Sequence, residues 1–233
     1  MVYRSFRERQ IVQRIFLGLA SVAILLLLAN AVVGIIGGDF NAASRTKLAA
    51  KRHYHEVEFN RTTAPEELNA ARQDRDTADE AWIGLNRTMN THRLLGVGAA
   101  LVTILVCCVS VTYFVGTSRW SKEVVDTYHL APELAEESAR IKRRSFPWSL
   151  LGILTMLGVV ALGAAADPSG MNHVQSASWV QPHYLTALGS IGVIGWSFLM
   201  QGQCLAEHFA LIEKIMGEVR RIREQRGLAS TNA

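Results

Sequence analysis

The sequence predicts an all-α polytopic membrane protein, a bundle of four spanning helices. Four apolar runs, residues 15–38, 94–116, 147–166 and 184–204, contain no Asp, Glu, Lys, Arg or His. A bilayer core of about 30 Å requires about 20 apolar residues in helical form, which matches the length of these runs. Because they take up more than a third of the 233 residues, the only sizeable segment outside the membrane is the first loop, residues 39–93.

The basic residues predict how the chain is oriented. Lys and Arg cluster before the first run, in the middle loop at residues 117–146 and in the tail at residues 205–233, whereas the loop at residues 167–183 has none. By the positive-inside rule, both termini and the middle loop are cytoplasmic and the other two loops face outward. The expected location is the plasma membrane, as the inner membrane of a bacterium. This topology explains the net charge of +4, so no nucleic-acid partner is expected.

The first loop is predicted to form an antiparallel helical hairpin. Residues 41–59 lack Pro and Gly and are expected to continue the first helix without a break, while Thr63 as N-cap, Pro65 and Glu66 mark a new helix start. The second helix carries a stripe at spacings of three and four, which predicts a coiled-coil seam against the first. The seam residues are Leu68, Ala71, Arg75, Ala78, Trp82, Leu85 and Met89, facing Leu48, Tyr54, Val57 and Phe59.

The middle loop is expected to contain two short helices broken at Ala131 and Pro132, with Pro147 opening the third span. The fourth span should continue into the tail as an amphipathic helix that ends near Gly227. This helix carries an apolar seam that must be covered, either by the middle loop through Val124, Leu134 and Ile141 or by another subunit. The seam is the predicted partner interface and consists of Leu205, Ile212, Ile215, Val219 and Ile222.

Candidate chemistry is sparse. Proton relays and membrane haem sites need ionisable residues or histidines inside the spans, and the runs have neither. Gln201, Cys204 and His208 share a helix face, but a zinc site would need further ligands. We therefore expect no catalytic residues, no metal site and no bound cofactor in an isolated chain. One candidate ligand site remains at the predicted outer membrane surface, formed by His92, His173 and His183.

These features predict a non-enzymatic structural or accessory subunit of a larger membrane assembly. Its predicted contacts are the lipid bilayer and either other membrane subunits or further copies of itself, because helical seams and glycine-lined spans are surfaces that bind helices. Two alternatives remain open. One is a sensory or signalling module without its own output domain, and the other is a subunit that holds a quinone, lipid or pigment in a redox or light-driven complex.

Overall fold

The computed structural model describes residues 2–60, 62–169 and 175–227, with side chains from residue 12 onward. Within these ranges the chain is helical and has no strand. The five helices are α1 (Val2–Ile36), α2 (Phe40–Phe59), α3 (Pro65–Tyr128), α4 (Glu133–Ala166) and α5 (Ser176–Gln225). Helices α1, α3, α4 and α5 are long and apolar enough to cross a membrane, which confirms the prediction of an all-helical chain with four helices of spanning length.

The first helix does not continue unbroken into the first loop, so that prediction is wrong. Helix α1 ends at Ile36, and Gly38 adopts a left-handed conformation with φ +74°. The Asp39 side chain then accepts a hydrogen bond of 2.8 Å from the Ala42 N–H and caps α2. Glycine tolerates positive φ, and aspartate is a favoured N-cap, so the Gly-Gly-Asp sequence ends one helix and starts the next.

Three other local predictions need correction. Helix α3 begins at Pro65 as expected, but the Ala64 carbonyl accepts the Leu68 N–H, which puts Ala64 rather than Thr63 at the N-cap position. Pro147 lies inside α4 and does not open a helix. The break at residues 129–132 is found as predicted, yet the flanking segments are continuations of α3 and α4 rather than separate short helices.

The chain divides into two compact units. The terminal unit comprises Met1–Leu25, Ala100–Leu157 and Ser190–Ala233, and the hairpin unit comprises Leu26–Ala99 and Gly158–Gly189. Helices α1, α3, α4 and α5 contribute residues to both units, whereas α2 belongs to the hairpin unit alone.

In the hairpin unit, α2 packs against the first part of α3. Phe40 stacks on Trp82 with ring centroids 6.3 Å apart, and farther along α2 Tyr54 lies under the Arg75 guanidinium at 4.3 Å. The contacts run in opposite order along the two helices, as antiparallel packing requires. Tyr54, Val57 and Ala71 form a small buried cluster with Leu68 beside it. Phe59 and Leu48, expected in the seam, are instead 80% and 43% exposed.

Candidate functional site

Two of the three histidines predicted to form a ligand site lie together in the hairpin unit. The rings of His92 on α3 and His183 on α5 are edge to face, with centroids 6.3 Å apart. His92 Nδ1 lies 3.1 Å from the backbone oxygen of Asn30, which fixes the orientation of that ring. His173 lies outside the described residues. The structure thus brings together His92 and His183, which are separated by 91 positions in the sequence.

Each of these histidines lies against a glycine. A Cβ added at Gly34 would lie 2.9 Å from His92 Cε1, and one added at Gly163 would lie 3.0 Å from His183 Cε1. These distances are shorter than normal carbon contacts, so only glycine leaves room for the rings. The glycines of the third span therefore include one whose role is to admit a side chain from α5.

The pair retains unused hydrogen-bonding capacity. The His183 ring lies by the backbone carbonyl of Val159, but its buried Nδ1 has no partner of normal geometry among the described residues. The buried side-chain oxygen of Asn30 is likewise unpartnered within those residues. Buried polar groups are normally paired, so this part of the hairpin unit is a place where a ligand or water could bind.

A charged clamp that sequence analysis missed lies near the end of α4. The Arg93 guanidinium donates two hydrogen bonds to the Asp167 carboxylate, at 2.7 and 2.9 Å. Burial alone would raise the pKa of Asp167, but the hydrogen bonds from Arg93 and from the Ser169 N–H lower it below its ordinary value. The clamp joins α3 to the segment after α4. No local spacing signals it, because Arg93 and Asp167 are 74 residues apart.

The terminal unit contains a buried polar network around Gln201. Its side-chain oxygen accepts a hydrogen bond from Ser149 at 2.9 Å, and its side-chain nitrogen donates to Ser197 at 3.1 Å. Ser197 in turn donates to the backbone oxygen of Trp148 at 2.6 Å. Because lipid cannot satisfy such groups, their mutual pairing holds α4 and α5 in one register. Sequence analysis recognised the polar face of α5 but not its partner on α4.

His208 extends this polar face by two turns of α5. Its Nε2 lies 2.9 Å from the Ser138 hydroxyl and its Nδ1 lies 3.3 Å from the Tyr113 hydroxyl. The ring is fully buried, and Phe114 packs against it edge to face. Burial lowers the pKa of His208 to about 4, so the side chain is neutral at physiological pH. Gln201, Cys204 and His208 all face the interior, as their shared spacing predicts.

The predicted partner seam in the tail is largely covered by the chain itself. Leu205, Ile215 and Val219 are at most 6% exposed in the single chain, while Ile212 and Ile222 are half-buried. The middle-loop residues of the same unit, Leu134 and Ile141, are buried too. A role for this seam in binding a partner remains a prediction, but little of its apolar surface is left to offer.

Among the side chains that the structure describes, no group of three or more His, Cys, Asp or Glu could hold a metal ion. No protein-family model, curated protein or solved structure matches this chain. Its function must therefore be argued from the contacts and surfaces described above.

Proposed function

We propose that the protein is a non-enzymatic structural or accessory subunit of a larger assembly in the plasma membrane. In this proposal the four apolar helices form a membrane bundle, both termini are cytoplasmic, and a face of α5 binds a helix of another subunit or of a second copy. The charge distribution supports the orientation, and the bacterial inner membrane is the proposed location. The observation that carries the proposal is the presence of glycines on an outward face of α5.

Gly189 and Gly192 are one helical turn apart, and a Cβ added at either would meet no atom within 4 Å. On the same face, Leu185 lies one turn before Gly189 and is 58% exposed. Trp196 and Leu199 follow Gly192 and are 57% and 63% exposed. Along the chain these residues are Leu185, Gly189, Gly192, Trp196 and Leu199. The intervals between them are four, three, four and three positions, which is the spacing of a helix-packing seam. This seam, the outward α5 face, lies within the apolar run and is left exposed by the residues that the structure describes.

Large apolar side chains on this face would suit lipid, but the two glycines present no side chain to it. Small residues in membrane helices allow a second helix to approach closely, and the close contact supplies the packing energy that lipid would otherwise provide. By contrast, Gly152 and Gly163 make room for side chains of their own unit. The outward glycines have no such internal role, which supports a partner helix as their function.

The test is to fill the outward α5 face. A Gly189→Leu, Gly192→Leu double variant should insert and fold, because a Cβ at either position meets no atom within 4 Å among the described residues. It should lose the partner, or the dimer, that co-purifies with the wild-type protein in mild detergent, as measured by native mass spectrometry.

The matched control is Gly98→Leu, which places the same side chain at another glycine with no neighbour within 4 Å, on α3 instead of α5. This control should retain the wild-type partners. If the double variant also retains every partner and the same oligomeric mass, the outward α5 face is not an assembly surface and the proposal fails.

A second candidate function is that of a subunit that holds a small ligand at His92 and His183. It is favoured by the unpartnered His183 Nδ1 and Asn30 oxygen. A quinone or a lipid carbonyl could accept a hydrogen bond there. Mass spectrometry of molecules extracted from the purified protein distinguishes the two candidates, since a His92→Leu variant should lose the ligand and keep its protein partners.

A further inference from the structure

A second surface of the terminal unit combines positive charge with an apolar wall. A groove of about 270 Å³ lies between α3 and α4, near the ends of the apolar runs at residues 116 and 147. Lys142 and Arg143 line it from α4, next to Phe146. Val111 and Val115 form its apolar wall on α3.

The two cations of this groove have no acidic partner within the described part of the chain. No acidic side chain in the described ranges forms an ion pair with Lys142 or Arg143, whereas the adjacent Arg144 pairs with Glu207 across to α5. Lys142 is half-buried and Arg143 is exposed. Two unpaired cations side by side repel each other, so an anion between them would remove an unfavourable interaction.

The groove also contains a buried hydroxyl without a partner. Ser145 lines the groove and is 1% exposed, and its Oγ has no hydrogen-bond partner among the residues described. By contrast, Ser149, one turn later, donates to Gln201. A hydroxyl in this position can donate to an oxygen of a bound molecule, which satisfies a group that is costly to leave unpaired.

The apolar part of the groove is exposed on the surface of the unit. Val115 and Phe146 are 55% and 52% exposed, although both belong to the region where an apolar run begins or ends. A free phosphate would use only the cations and leave these side chains uncovered. A phospholipid would use both, because its phosphate lies at the edge of the hydrocarbon and its acyl chains lie inside it.

We propose that this groove is a binding site for an anionic phospholipid. The phosphate lies between Lys142 and Arg143, Ser145 donates a hydrogen bond to a phosphate or ester oxygen, and an acyl chain lies along Val111, Val115 and Phe146. The inference goes beyond the proposed assembly role and requires only that the apolar helices span a bilayer. With the proposed orientation, the lipid comes from the cytoplasmic leaflet, where basic pockets between helices bind anionic headgroups.

The test compares lipid affinities of the purified full-length protein by native mass spectrometry, using phosphatidylglycerol and phosphatidylcholine with identical acyl chains. The wild-type protein should bind phosphatidylglycerol more tightly. A Lys142→Gln, Arg143→Gln double variant should lose about 30-fold in affinity for phosphatidylglycerol, as expected for two basic residues at a membrane surface. Binding of phosphatidylcholine should change much less.

The matched control is Arg119→Gln, Lys122→Gln, which removes the same charge from exposed positions of α3 in the same unit. It should leave the affinity nearly unchanged. In a Val115→Trp variant the larger side chain should occupy the apolar part of the groove. This variant should bind phosphatidylglycerol more weakly although all charges remain.

Three results would overturn the inference. The first is an equal loss in the control pair, which would mean that general surface charge attracts the lipid. The second is undiminished binding in Val115→Trp, which would place the acyl chain elsewhere. The third is full displacement of the lipid by excess glycerol phosphate, which would identify the groove as a site for free phosphate instead.

Discussion

Acidification should destabilise the terminal unit through His208. The ordinary pKa of histidine is 6.5, and burial lowers that of His208 to about 4. Below pH 6.5 the unfolded chain therefore binds a proton more readily than the folded chain. The contribution of neutral His208 to the free energy of unfolding is complete above that pH and is lost as the pH falls towards 4. With these two values, the loss is about 2 kcal/mol between pH 7 and pH 5 and about 3 kcal/mol by pH 4.

The matched variant is His208→Gln, because a glutamine can still donate to and accept from the Ser138 and Tyr113 hydroxyls but cannot be protonated. Thermal unfolding in detergent should show the wild-type midpoint falling by roughly 4 to 8 °C between pH 7 and pH 5. In the variant, most of this fall should disappear, whereas the exposed His53→Gln control should keep it. An unchanged pH dependence in His208→Gln would show that the buried imidazole is not the group responsible.

Two further predictions concern the hairpin unit and the orientation. Gly163→Ala should destabilise the protein by about 1 to 3 kcal/mol, since its Cβ would lie 3.0 Å from His183 Cε1, whereas Gly158→Ala on the same helix meets nothing within 4 Å and should be neutral or slightly stabilising in the same thermal assay. In intact cells, Asp74→Cys should react with an impermeant thiol reagent and Glu224→Cys should not; the reverse pattern would invert the proposed topology.

The spanning segments could be predicted because they depend on composition alone. An apolar run without charges has only one stable form in a bilayer, and its length can be read from the sequence. The polar face of α5 was also predictable, since Gln201, Cys204 and His208 recur at intervals of three and four. Its partners Ser149 and Ser138 were not, because a serine in a helix can satisfy its hydroxyl at a carbonyl of the preceding turn and need not mark a contact with another helix.

Pairings between distant helices were the main features that sequence analysis missed. The Arg93–Asp167 clamp depends on how the helices pack, which the spacing of residues within one helix does not specify. By contrast, sequence analysis had grouped His92 and His183 in one candidate site, and their rings lie 6.3 Å apart. The predicted seam of the first loop is wrong at its two end residues, Leu48 and Phe59, for a related reason. Phe59 fits the apolar spacing, but it is the last residue of α2, where no α3 side chain covers it.

The break between α1 and α2 has a mechanical consequence. Two successive glycines at residues 37 and 38 interrupt the hydrogen-bonded backbone, so α2 can bend or rotate without turning α1. Helix α3 has no such interruption along its 64 residues. A bend of α2 at these glycines therefore leaves the backbone hydrogen bonds of α1 intact, while α1 stays joined to α3 through the contacts of His92 with Asn30 and Gly34.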